Sequence, residues 1–189
     1  AIKLAIIGNS IDFGVPNNHL SNLKTEAVAL LNVPLVLDHT DEMMRRLSSA
    51  TKLLLLADNS GEIVLDRLLL ETIQERYPVI QATIAVREVP IINDVTLDDV
   101  KEVGFPPTIR AISSGNRTPG VILAKACEAF LATYETSDLV LSKGQGNYEG
   151  LSDESDDRVF FLFRAKCAII ARHIGVEEGA MIVKKGGKA

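Results

Sequence analysis

The sequence predicts an α/β fold, a doubly wound, mostly parallel, Rossmann-like sheet with helices on both faces. Two observations carry this. Runs such as Leu53-Leu54-Leu55-Leu56 are apolar on successive residues, as in strands buried on both faces of a parallel sheet. These runs alternate with amphipathic stretches, and such alternation builds strand–helix–strand units. In chain order, strands are expected at residues 2–7, 34–37, 52–57, 81–86, 108–113, 138–141 and 159–163, with a short last strand at 180–184. Helices are expected at 20–31, 41–49, 62–76, 96–103, 120–134 and 166–173. Ile63, Leu65, Leu68, Leu69 and Ile73 give the third helix an apolar face at helical spacing. The acidic stretch 149–157 reads as a surface loop or short helix.

A chain of 189 residues suits one α/β domain spanning residues 1–189. No apolar run approaches the roughly 18 to 20 residues of a membrane helix, so no membrane partner is expected. The net charge of -5 argues against nucleic acid, which rewards a dense basic surface. Cys127 and Cys167 are isolated in apolar helical surroundings and read as buried structural thiols, which fits a cytoplasmic protein. The chain opens on Ala1-Ile2-Lys3, with no signal peptide and no Met, which suggests trimming. Oligomeric state has no sequence signal.

In open parallel sheets, ligands sit beyond the carboxyl ends of the strands. The expected strand ends carry Gly8-Asn9-Ser10-Ile11-Asp12, Asp58-Asn59-Ser60-Gly61-Glu62, Arg87-Glu88 followed by Asn93-Asp94, Ser113-Ser114-Gly115 and Lys143-Gly144-Gln145-Gly146. Asp58, Asn59 and Asp94 offer hard oxygen donors, while His19, His39 and His173 fall outside these loops. Such a set suits Mg²⁺ or Mn²⁺, with Co²⁺ or Ni²⁺ possible, rather than a zinc site. A structural alternative stands beside it. Asn59 or Ser60 can cap the next helix, with Glu62 completing a capping box, and Asp94 can turn the chain. Lys143 and the amides of Gly144 to Gly146 could receive an anion, as could the amides around Ser114 and Gly115. Neither loop is a Walker motif or a dinucleotide fingerprint. A plain turn remains the alternative at each.

Four motifs together carry a resemblance: Gly8-Asn9-Ser10-Ile11-Asp12-Phe13-Gly14, Ala57-Asp58-Asn59-Ser60-Gly61-Glu62, Pro90-Ile91-Ile92-Asn93-Asp94-Val95-Thr96 and Lys143-Gly144-Gln145-Gly146-Asn147-Tyr148-Glu149. In this order they resemble the damage-control phosphatase family, in particular its smaller, archaeal-type members. The likeness runs over nearly the whole chain. It implies a Rossmann-like fold, a phosphatase dependent on Mn²⁺, Co²⁺ or Ni²⁺, and small phosphorylated metabolites such as sugar phosphates as substrates. The implied metal ligands are Asp58, Asn59 and Asp94. The implied substrate-side residues are Asn9, Asp12, Glu62, Asn93, Ser114 and Lys143. Members usually carry an N-terminal helical region, often with a Cys-x-x-Cys pair. Neither is in this chain, so the expectation is the catalytic domain alone.

On this reading Asp58, Asp94 and Lys143 form the catalytic set, with Asp12 and Glu62 as candidates for the general base. Two other function classes stay open. One is a phosphometabolite- or nucleotide-binding module without turnover. The other is a methyltransferase, kept in view by Asp38 at the end of the second expected strand.

Overall fold

The computed structural model describes residues 1–8 and 28–187. Among the described residues, seven strands form one sheet. They are β1 (Leu37–Asp38), β2 (Lys52–Leu56), β3 (Gln81–Val86), β4 (Ile109–Ser113), β5 (Leu139–Lys143), β6 (Val159–Arg164) and β7 (Met181–Lys185). The order across the sheet is β1-β7-β6-β5-β2-β3-β4. β4, β3, β2, β5 and β6 are mutually parallel, while β7 runs antiparallel to β6 and parallel to β1. The sheet is therefore mostly parallel, with a reversed pair at one edge. Asp38 lies in that reversed pair, so its strand ends away from the edge where Asp58 and Lys143 emerge.

The helices are α1 (Ile2–Gly8), α2 (Thr40–Leu47), α3 (Ile63–Arg76), α4 (Leu97–Val103), α5 (Glu128–Thr136), α6 (Gly144–Leu151) and α7 (Ala168–Ile174). Residues 28–31 add a further helical end. Two cores form, one on each face of the sheet. Side chains alternate along each strand, so Leu53, Leu55, Ile84 and Leu141 meet Ile6, Met43, Leu70 and Val100 on one face. Leu54, Leu56, Val140 and Phe161 meet Phe130, Tyr148 and Leu151 on the other. The helices of the first half thus cover one face and α5 to α7 cover the other.

The chain winds outward from β2 to β4, then crosses back to place β5 beside β2. This reversal is the topological switch point, where ligand crevices open in such sheets. Local signals set the element ends. Thr96 and Asp99 form a capping box that starts α4, with the Thr96 N–H donating to Asp99 Oδ2 at 2.7 Å. Gly104 then closes the helix at φ 72°.

Four expectations are corrected. Residues 2–7 form helix α1, not a strand. A short, continuously apolar run has no period of its own, and this one is buried on α3 and β6. The helix expected over 120–134 starts only at Glu128. Gly120 sits at φ 81° with its Cα against the Gly146 carbonyl, so the chain crosses α6 there instead of coiling. The loop expected at Gly144 to Glu149 is helix α6, because close packing against residues 120 and 121 outweighs the low helix propensity of Gly144, Gly146 and Gly150. Cys127 and Cys167 are free and half-buried, each immediately before a helix rather than within one. Among the described residues no helix is long and apolar enough to cross a membrane.

Candidate active site

Asp58 leaves β2 on the crevice side of the switch point and is 8% exposed. Asn59 follows as the cap of the Ser60–Glu62 turn that leads into α3. The loop between β3 and α4 folds back on this exit. Asn59 and Asp94 pair in an antiparallel bridge. Val95 N–H donates to the Asp58 carbonyl at 2.9 Å, and Ser60 N–H donates to the Asn93 carbonyl at 2.8 Å. Backbone pairing thus joins the adjacent Asp58 and Asn59 to Asp94, which is distant in the chain.

The capping alternative is also present, since Asn59 and Glu62 form a reciprocal capping box. The Asn59 amide Nδ2 donates to Asp58 Oδ2 and to Glu62 Oε1, both at 3.1 Å. These bonds set which way the amide faces. Capping does not exclude ligation, because an amide oxygen has two lone pairs.

Asp94 is 9% exposed. Its Oδ2 lies 3.4 Å from Arg87 Nε, yet that oxygen is buried without a hydrogen bond. Burial pushes the Asp94 carboxyl above its ordinary value, against the pull of Arg87. Gly144, at φ 78°, opens α6 directly against Asp58. A methyl group at this position would overlap the Asp58 carboxylate, so the approach requires glycine.

Lys143 ends β5 and is fully buried. It continues the inward side of Leu139 and Leu141, and its Nζ donates to Glu62 Oε2 at 2.7 Å and Asp66 Oδ1 at 2.5 Å. Its charge faces these two carboxylates rather than an open crevice. Burial opposes that charge, but Asp66 and Glu62 outweigh it and hold the ammonium above its ordinary pKa. Burial pushes the Asp66 carboxyl up to about 7, against the pull of Lys143. A carboxyl raised in this way binds its proton on folding. Its contribution to stability is complete below the ordinary carboxylate range and is lost as pH rises through about 7. Asp66→Asn is therefore expected to flatten the decline of stability across that window, as measured by urea unfolding. A difference from wild type that stays constant with pH would contradict this.

Of the other expected site residues, Ser114 is buried at the end of β4, and its Oγ accepts the Asn116 N–H at 3.3 Å. Asn93 is exposed and contributes its carbonyl. Asn9 and Asp12 lie outside the described residues. Sequence reasoning passed over Asp66, Arg87 and Asn147. Asp66 carried a signal, since it interrupts the buried stripe of Ile63, Leu70 and Ile73. Arg87 was visible only as a strand end, and Asn147 only as part of a glycine-rich run.

Among the described residues no three Asp, Glu, His or Cys side chains form a metal-binding group. A cation at the acidic pair would need the Asn59 amide, together with water or substrate. The donor chemistry fits one, because two carboxylates and an amide are hard ligands and Asp94 Oδ2 lacks a hydrogen-bond partner. An open groove of about 1130 Å³ lies at the opposite edge of the sheet, by Lys52, Gln81 and Thr108, and contains none of these residues.

Residues 1–182 match the damage-control phosphatase ARMT1-like domain. The chain is 39% identical to the damage-control phosphatase PH1575 of Pyrococcus horikoshii over 182 residues, covering 96% of this chain and 63% of that protein. It is 34% identical to a damage-control phosphatase of Archaeoglobus fulgidus over 186 residues, covering 97% of this chain and 64% of that one. Its backbone superposes on the crystal structure of a DUF89 family protein from Pyrococcus horikoshii with a TM-score of 0.92 at 38% identity, covering 98% of this chain and 64% of that structure. The chain thus spans less than two thirds of the length of these relatives.

Proposed function

The chain belongs to the damage-control phosphatase ARMT1-like family, and from this premise we propose that it is the catalytic α/β domain of a metal-dependent phosphatase. The reaction is hydrolysis of phosphate monoesters of small metabolites, with sugar phosphates as the substrate class, in the cytoplasm. The observation that carries the reading is the convergence of Asp58, Asn59 and Asp94 at the switch point through the Asn59–Asp94 bridge.

Asp58, Asn59 and Asp94 would hold a divalent cation, with Mn²⁺, Co²⁺, Ni²⁺ or Mg²⁺ as the candidates. Such an ion supplies Lewis acidity for a phosphoryl oxygen and for the attacking water. The residues do the rest by position. Glu62 has Oε1 engaged by Asn59 and Oε2 by Lys143, so it is assigned to holding Asn59 rather than to proton abstraction. Lys143 anchors Glu62. The first amides of α6, brought against Asp58 by Gly144, would receive phosphoryl oxygens as they gather charge. Water forms the new P–O bond as the ester P–O bond breaks, and its proton ends on the departing alcohol.

The test is phosphate release from p-nitrophenyl phosphate and a panel of sugar phosphates, with each of the four metals and with EDTA. Turnover is expected with at least one metal and is expected to vanish in EDTA. Equal turnover in EDTA would overturn the metal requirement. Calorimetric binding of a sugar phosphate without phosphate release would make the domain a binding module.

A further inference from the structure

Arg87 ends β3 beside the acidic pair and is 1% exposed. Its backbone is held by the Val95 carbonyl at 2.9 Å and by a parallel bridge to Thr96. A guanidinium has five N–H donors in a rigid fork. Here Nη2 donates to Asn147 Oδ1 at 2.8 Å, while Nε and Nη1 are buried without hydrogen bonds. Asp94 Oδ2 faces Nε at 3.4 Å and also makes no hydrogen bond. A carboxylate and a guanidinium free to close would form a bidentate pair. Here the two meet at 3.4 Å, with their backbones fixed by the bridge to Asn59 and by the pairing of Arg87 with Val95 and Thr96.

Asn147 extends the arrangement. Its Oδ1 also accepts the Val121 N–H at 2.8 Å, and its Nδ2 donates to the carbonyls of Ala57 and Lys143 at 3.1 and 2.7 Å. Arg87 is therefore braced against the exits of β2 and β5 and the start of α6. Around it lie Asp94 and, further off, Asp58, and both favour its charge.

We propose that Arg87 is the charge-balancing and positioning residue of the cation site. Its buried guanidinium offsets Asp94 and Asp58 when no divalent ion is bound, and so sets how tightly the site takes one. The inference rests on the metal-dependent reading of the same site. Without the positive charge, Asp94 loses the guanidinium that faces it at 3.4 Å in the cation-free protein. A divalent ion then meets Asp94 without the guanidinium as a competitor.

The experiment is thermal unfolding and calorimetric titration with Mn²⁺ for wild type, Arg87→Met and Arg87→Lys. Arg87→Met is expected to melt lower than wild type without metal, to show a larger Mn²⁺-induced rise in Tm, and to bind Mn²⁺ about tenfold more tightly. Arg87→Lys keeps the charge and is expected to return the Mn²⁺ affinity to within about twofold of wild type. A lower Tm for Arg87→Met with an unchanged Mn²⁺ response would make Arg87 a packing residue and overturn the proposal. If Arg87→Met does not fold, Arg87→Lys decides, because tightening of Mn²⁺ binding by about tenfold with the charge retained would refute charge balance. A wild-type protein that gives neither heat nor a Tm shift with Mn²⁺ would overturn the metal-dependent reading itself, and the Arg87 proposal with it.

Discussion

Asp94→Ala is expected to lower Mn²⁺-dependent release of phosphate from p-nitrophenyl phosphate by at least about 100-fold, roughly 2.7 kcal/mol of transition-state stabilisation. The size follows from the number of donors. Two carboxylates and one amide meet here, and removing one carboxylate halves the anionic charge available to a divalent ion. The backbone bridge to Asn59 does not depend on the side chain, so the loop between β3 and α4 keeps its path. The variant also leaves Arg87 without its 3.4 Å counter-charge, so circular dichroism must first show a native fold. Full retention of turnover in a folded Asp94→Ala protein would remove Asp94 from the metal site.

Lys143→Met is expected to have the largest effect on stability, a loss of about 3–5 kcal/mol near pH 8. The lysine is the ammonium contacting both Glu62 and Asp66, and all three side chains are fully buried. Its removal strands two carboxylates in a dry pocket. Asp66, already raised by burial, then takes a proton still more readily in the folded chain than in the unfolded one. Groups raised in this way contribute stability at low pH and lose it as pH rises, so the deficit relative to wild type should shrink toward pH 5. Turnover should fall as well, because Glu62 would no longer be held against Asn59. Urea unfolding at the two pH values is the measurement. An equal loss at both would show that packing of the lysine stem, not its charge, is what the site uses. A second substitution, Asp66→Leu, should recover part of the loss by removing one of the stranded carboxylates.

Much of this molecule was legible from residue pattern alone. The strand expected at 81–86 and that at 159–163 match β3 and β6 to within one residue, because apolar runs between turn residues report burial directly. The oxygen donors at the end of β2 were legible for the same reason, since a carboxylate and an amide after four leucines and an alanine mark a strand leaving the core. The alternation along Leu139, Leu141 and Lys143 also held the information that Lys143 points inward. That signal was obscured because a lysine beside a glycine-rich run resembles an exposed anion loop. Residues 2–7 were misassigned for a different reason. A short apolar run satisfies a helix and a strand equally, and the packing of α1 on α3 and β6 decides between them.

By itself, the sequence determined the α/β class, the positions of the central strands and the chemical character of the donors at their ends. Each of these depends on local burial, which composition and period express. Only the tertiary structure decided which charges meet. Placing β5 beside β2 brings Lys143 to Glu62 and Asp66, 81 and 77 positions away in the chain. The bridge between Asn59 and Asp94 sets the acidic pair, and the Arg87–Asn147 bond braces it. Strand order and loop closure are long-range properties, so the pairing of these buried charges is absent from any local window of the sequence.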